Sequence, residues 1–364
     1  MKIPAWFKPA AGVTAGAALA VGLFASPAVQ AQEARNFAVV GTWGQLDHWI
    51  KRESKFWNET LPKASGGKLT ANAKPLTELG LGGNKVMREV KAGAFDFAHG
   101  VFLYIAGDSP VIEGADLSGV VPDLPTFRKA MNAYKPVLQR EFTDKFDSTI
   151  LMLYPWPQTH MFCKMPADTG ANVDLSAFKG MKIRSFGTSV SDFITNVLHA
   201  APVPVPFGEV LPGLQKGLID CGATGVLSAY NAKWYQAASH EVVYSLGYTA
   251  SFLAVNNKVW ASLTDDQRKL IQSEVAKLEE QMWSATAQDD ETGLACNTDG
   301  PCPNGEAGGM KAVRLSDKAR ADVKAALPSA VLASWAKRCN AKSPGCSDDW
   351  NKTIGALIGL EAKE

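Results

Sequence analysis

Two hydrophobic periodicities take turns along this chain. Residues 36–41 alternate apolar and polar as a strand does, and residues 47–61 then place Trp49, Ile50, Phe56 and Trp57 at helical spacing. Ser65-Gly66-Gly67 marks a turn, residues 68–74 predict a second strand, and Gly80-Leu81-Gly82-Gly83 opens a helix through Val86, Met87, Val90 and Ala92. Gly93 stops that helix before a short strand at 95–98. The same alternation resumes after Asp147. Strands are expected at 149–154, 161–164, 181–184 and 219–223, with helices at 190–199 and 208–216. Thr264-Asp-Asp-Gln267 is a capping box heading a long helix that runs past Trp283, and Ser316 caps another after a strand at 311–315. Strands and helices in alternation specify an α/β fold, here in two lobes.

Composition narrows the function. The chain has 364 residues with 37 Lys+Arg against 36 Asp+Glu and no long charge block, which argues against nucleic acid as the partner. Lys2 and Lys8 are the only charges before Glu33, and an apolar, Ala- and Gly-rich stretch between them ends at Val29-Gln30-Ala31. A basic start, an apolar middle and a small-residue cleavage site predict a signal peptide over 1–31 and an exported, periplasmic chain. Gly12, Gly16, Gly22 and Pro27 dilute that stretch, so the chain is not expected to span a membrane. Export in turn makes disulfides the expected state of the six cysteines. Cys296 with Cys302 and Cys339 with Cys346 are the simplest pairs, since each would staple a turn-rich loop; cross-pairing between the loops is the competitor. For Cys163 and Cys221 only proximity is expected. Zinc is disfavoured because neither loop has C-x₂₋₄-C spacing.

A run of motifs carries a family resemblance. Phe178-Lys-Gly-Met-Lys-Ile-Arg184, Pro204-Val-Pro-Phe207-Gly-Glu-Val210, Leu214-Gln-Lys-Gly-Leu-Ile-Asp220 and Ala232-Lys-Trp-Tyr235 together resemble the solute-binding proteins of tripartite ATP-independent periplasmic (TRAP) transporters, of the dicarboxylate (DctP) type. Weaker matches continue upstream at Glu78-Leu-Gly80 and Ala92-Gly-Ala-Phe-Asp96 and downstream at Val255-Asn-Asn-Lys-Val-Trp260. The resemblance implies a two-lobed periplasmic solute-binding fold with a cleft between lobes and a long helix spanning both. The lobes would be 32–157 with 250–289, and 158–249 with 290–364. It implies a small organic acid as ligand, the TRAP membrane subunits as partners, and no cofactor or metal.

Arg184 stands where the family holds a carboxylate, and a guanidinium fork suits that role because it matches a carboxylate bidentately. Phe207 matches a pocket aromatic and Glu78 a binding position of the first lobe. The family's binding Asn falls on Thr224, and a frequent second arginine falls near Gln158, Thr159 and His160. With one strong cation, a monocarboxylate is expected in preference to a short dicarboxylate. Trp43, His48, His99 and Trp156 are further candidates because each lies near a predicted strand end, where open α/β sheets bind ligands. No G-x-S-x-G, H-E-x-x-H, P-loop or G-x-G-x-x-G motif supports an enzyme. The rival reading is a ligand-binding sensor module for a membrane receptor.

Overall fold

Three parallel strands begin the first half of the sheet: β1 (Arg35–Gly41) lies between β2 (Leu69–Pro75) and β3 (Phe97–Val101). The computed structural model that gives this arrangement describes residues 33–121 and 123–364, so the expected signal peptide lies outside the described residues. The remaining strands are β4 (Ser148–Cys163), β5 (Asn172–Val173), β6 (Lys182–Ser185), β7 (Ala201–Pro204), β8 (Cys221–Gly225), β9 (His240–Val242), β10 (Tyr248–Asn256) and β11 (Lys311–Leu315). The sheet order is β2-β1-β3-β10-β4-β8-β6-β7, with β9, β11 and β5 attached beside β4. This is the mixed α/β architecture that the alternating pattern predicts.

One strand joins the two halves. Where separate strands are expected at 149–154 and 161–164, β4 runs unbroken for 16 residues. Pro155 and Pro157 suggest a break because proline cannot donate to a ladder. The sheet accommodates them instead: Pro155 faces Ala250, and the register shifts between Tyr248 and Ala250. The first part of β4 pairs with β10 as far as Gln158, and Thr159–Cys163 pairs with β8.

The long helix Asp265–Asn297 follows the same path. Its capping box forms as predicted, with Thr264 Oγ1 accepting from Gln267 N at 3.2 Å and Gln267 Oε1 accepting from Thr264 N at 3.0 Å. Its 33 residues span about 50 Å at 1.5 Å each, which matches the reach of a 16-residue strand. Side chains stitch helix to strand. Trp283 Nε1 donates to Leu153 O at 2.8 Å, and Asp290 Oδ1 accepts from Gln158 N at 2.6 Å. Beyond the strand, Asn297 Nδ2 donates to Val226 O at 2.8 Å. Gly293 is required here, because a Cβ would stand 2.4 Å from Leu227 N.

All nine residues of β10 are buried, the polar Thr249, Ser251 and Asn256 among them, so it lacks the alternation of a strand with one solvated face. The helix Leu124–Phe146 is also absent from the predicted elements, although Asp123 caps it through Thr126 N at 2.9 Å. Pro136 within it reads as a breaker. The last helices pack beside it, with Trp335 Nε1 donating to Pro110 O at 2.8 Å and Trp350 Nε1 to Gly114 O at 2.9 Å. Three disulfides form: Cys296–Cys302 and Cys339–Cys346 close the two local loops, and Cys163–Cys221 joins β4 to β8. Among the described residues no helix is long and apolar enough to cross a membrane.

Candidate ligand-binding site

Arg184 sits on β6, and its guanidinium is 1% exposed. Nε donates to Val205 O at 3.0 Å, Nη1 to Ala223 O at 2.7 Å and Nη2 to the Tyr104 hydroxyl at 2.9 Å. Its plane lies over the ring of Phe186 at 4.6 Å, with Phe207 at 5.9 Å. No carboxylate pairs with it among the described residues. A guanidinium carries five N–H groups; the three bonds above leave one N–H on each terminal nitrogen unengaged. Burying a cation without a counter-charge is expensive, so the site is short of an anion.

Arg184 lines a small inner chamber of about 30 Å³ together with Trp43, Tyr104, Trp156, Phe186, Phe207, Thr224 and Thr249. Thr224 comes from the end of β8, and Trp43 follows the end of β1, as sheet-end sites require. The rings interlock: Trp43 lies 5.2 Å from Tyr104, 5.7 Å from Trp156 and 5.7 Å from Phe207, centroid to centroid. The indole N–H of Trp156 is buried without an acceptor among the described residues. His48 backs Trp156 in a parallel stack at 4.2 Å. Burial, reinforced by the charge of Arg52, lowers the His48 imidazole to about 3, so it stays neutral and Arg184 remains the only charge at the wall. An outer cleft of about 640 Å³ opens beyond, sharing Trp43, Tyr104, Phe186 and Phe207 with the inner chamber.

The structure thus brings Arg184, Phe207, Thr224, Trp43 and Trp156 to one chamber. Thr159 lies one layer behind, its hydroxyl 3.2 Å from that of Thr249, which lines the wall. It does not bring Glu78 there: this side chain is exposed and paired with Lys74 at 2.7 Å. Nor does it bring His99, which is fully buried, accepts from Trp57 Nε1 at 2.9 Å and is lowered to about 3 by burial. His160 is likewise engaged, 2.7 Å from buried Glu241. Tyr104, Phe186 and Thr249 were not foreseen. Tyr104 lies three residues beyond β3 and Phe186 directly follows β6, so the strand-end rule applied to these two strands would have reached them. Among the described residues no cluster of three or more His, Cys, Asp or Glu side chains could hold a metal.

A two-lobed α/β fold with an unpaired guanidinium at the floor of its cleft is the architecture of a solute-binding protein. The comparisons agree. The profile of bacterial extracellular solute-binding protein family 7 (DctP) matches residues 40–338, and the chain belongs to that family. It is 20% identical over 264 residues to the sialic acid-binding periplasmic protein SiaP of Vibrio cholerae, covering 70% of this chain and 77% of that one. A Bordetella pertussis extracytoplasmic solute receptor binding pyroglutamic acid superposes with a TM-score of 0.74 at 19% identity, covering 87% of this chain and 100% of that one. A TRAP periplasmic solute-binding protein of Desulfovibrio salexigens with bound orotic acid gives 0.77 at 15% identity, covering 89% and 99%.

Proposed function

We propose that this protein captures a small organic acid in the periplasm, without chemically changing it, and delivers it to the membrane subunits of a TRAP transporter. Residues 1–31 serve as its signal peptide. The observation that carries the reading is the buried Arg184 guanidinium with two unengaged N–H groups and no acidic partner among the described residues. A ligand carboxylate supplies the missing charge and meets the guanidinium in the bidentate geometry that it favours. Trp43 and Phe207, which line both compartments, close on the rest of the ligand, with Trp156 and Thr224 on the inner wall and Thr159 steadying Thr249 from behind. Pyroglutamic and orotic acids, the ligands of two structural neighbours, are each a ring bearing one carboxylate, which fits a site with one cation at its inner chamber and aromatic side chains shared with the outer cleft. A monocarboxylate is accordingly preferred over a short dicarboxylate.

Capture proceeds by lobe closure, with residues 32–157 plus 250–289 moving against 158–249 plus 290–364. A ligand touching both lobes favours the closed population by its differential affinity. A thermal-shift screen of organic acids and their amides tests the function, because binding raises apparent stability. Some carboxylic acids should raise the midpoint while their amides do not, Arg184→Met should abolish the rise, and the acid should be recovered unchanged. A shift that survives Arg184→Met, or one given equally by amides, would overturn the assignment.

A further inference from the structure

The two compartments of the site are divided by side chains, and one of them is bonded to the anchor. Tyr104 lines both the inner chamber and the outer cleft, and its hydroxyl accepts from Arg184 Nη2 at 2.9 Å. Tyr104 and Phe186 are only half-buried, whereas Trp43 is 8% and Phe207 5% exposed. Gly83 seats the tyrosine ring closely: a Cβ at that position would stand 3.0 Å from it. The inner chamber of about 30 Å³ is small beside the outer cleft of about 640 Å³, and the Tyr104 hydroxyl already occupies one N–H of the guanidinium on its wall. Of the three groups bonded to that guanidinium two are main-chain carbonyls, so the half-buried Tyr104 side chain is the one placed to yield to an acid.

We propose that Tyr104 is a specificity-determining residue of this site: its hydroxyl holds the place on Arg184 that a ligand carboxylate oxygen takes, and the ligand binds by displacing it. The inference rests on the proposed function. Its logic is an exchange of hydrogen bonds. A ligand hydroxyl or amide that replaces the phenol trades one neutral partner for another and gains little. A carboxylate brings the opposite charge and two oxygens, and so adds an ion pair in the bidentate geometry that a neutral oxygen cannot match. Tyr104 thereby sets a threshold that acids cross and neutral analogues do not.

The acid group takes the inner chamber beside Arg184. The body of the ligand then lies in the outer cleft of about 640 Å³, whose lining contains no Asp, Glu, Lys, Arg or His among the described residues. An uncharged body suits it and a second carboxylate does not. The class named is therefore a single carboxylate on an uncharged ring.

The test uses the full mature chain and calorimetry with benzoate, pyroglutamate and succinate as probes. Benzoate or pyroglutamate should bind the parent more tightly than succinate does. Tyr104→Phe removes the competing hydroxyl while keeping the ring, and should tighten binding of the better monocarboxylate at least threefold. A tyrosine near-ultraviolet difference signal should accompany binding to the parent and vanish in Tyr104→Phe, a readout that a merely structural role would not produce. Unchanged or weaker binding by Tyr104→Phe overturns the inference, as does failure of both monocarboxylates to bind. The parallel Arg184→Met titration separates the two readings. If Arg184→Met binds as the parent does, the carboxylate anchor itself is wrong. If it loses binding but Tyr104→Phe does not gain, only the displacement is wrong.

Discussion

Lysine in place of Arg184 keeps the charge and loses the geometry. The guanidinium divides its N–H groups among Val205 O, Ala223 O and Tyr104, and still keeps two unengaged. An ammonium has three donors on one atom and cannot satisfy both sets. Arg184→Lys should weaken binding of the best acid at least tenfold by calorimetry; binding within twofold of the parent would sink the anchor role. Position 184 was legible because the Lys-Gly-x-Lys-x-Arg strand places it at a sheet end, and the same rule placed Trp43 and Trp156. It fails at His99, also at a strand, because the strand-end rule says nothing about direction: this imidazole turns inward to Trp57 and Tyr154. It fails at Glu78 because Lys74, near the end of β2, offers this exposed turn carboxylate a partner in water.

At the level of elements, the capped start of Asp265–Asn297 was readable from four residues, whereas its alliance with β4 was not. That contact depends on which helix face meets which strand, and the two are more than a hundred residues apart in sequence. Asp290 lies on this seam, bonded to Gln158 N where β4 passes from one set of partners to the other. Burial pushes its carboxyl up to about 7, with the neighbouring charge of Asp289 adding to the rise. Its unfolded value is near 3.9, so between about pH 4 and 7 the folded state binds more protons than the unfolded one. The Asp290 contribution therefore falls as pH rises through that window. Asp290→Asn keeps an acceptor for Gln158 and removes the titration. Its thermal midpoint should decline less between pH 4 and 8 than the parent's, and identical slopes would exclude the mechanism.

For the molecule as a whole, the covalent links are unequal in consequence. Cys163–Cys221 has a sequence separation of 58 and Cys296–Cys302 one of 6. By the chain-entropy relation these are worth about 4 and about 2 kcal/mol respectively. Replacing the first pair with alanine should lower stability in urea by roughly twice as much as replacing the second, and the reverse order would count against the loop-length account. Peptide mapping without reductant should recover all three links. The local pairs were legible because turn-rich loops bring their ends together; the third depends on the pairing of β4 with β8, which spacing in the sequence does not reveal.

The hold on Arg184 has a consequence for how this site can change over evolutionary time. Two of its three bonds go to main-chain carbonyls, Val205 O and Ala223 O, which no substitution at the wall deletes. The anchor and the menu are thus encoded separately. Mutation at Trp43, Trp156, Phe186 or Phe207 can redraw what the site admits while the guanidinium stays aimed, so a lineage can move from one acid to another without passing through a form that binds none. The same separation makes the wall, and not the strand beneath it, the place to randomise when recruiting this scaffold for a new acid.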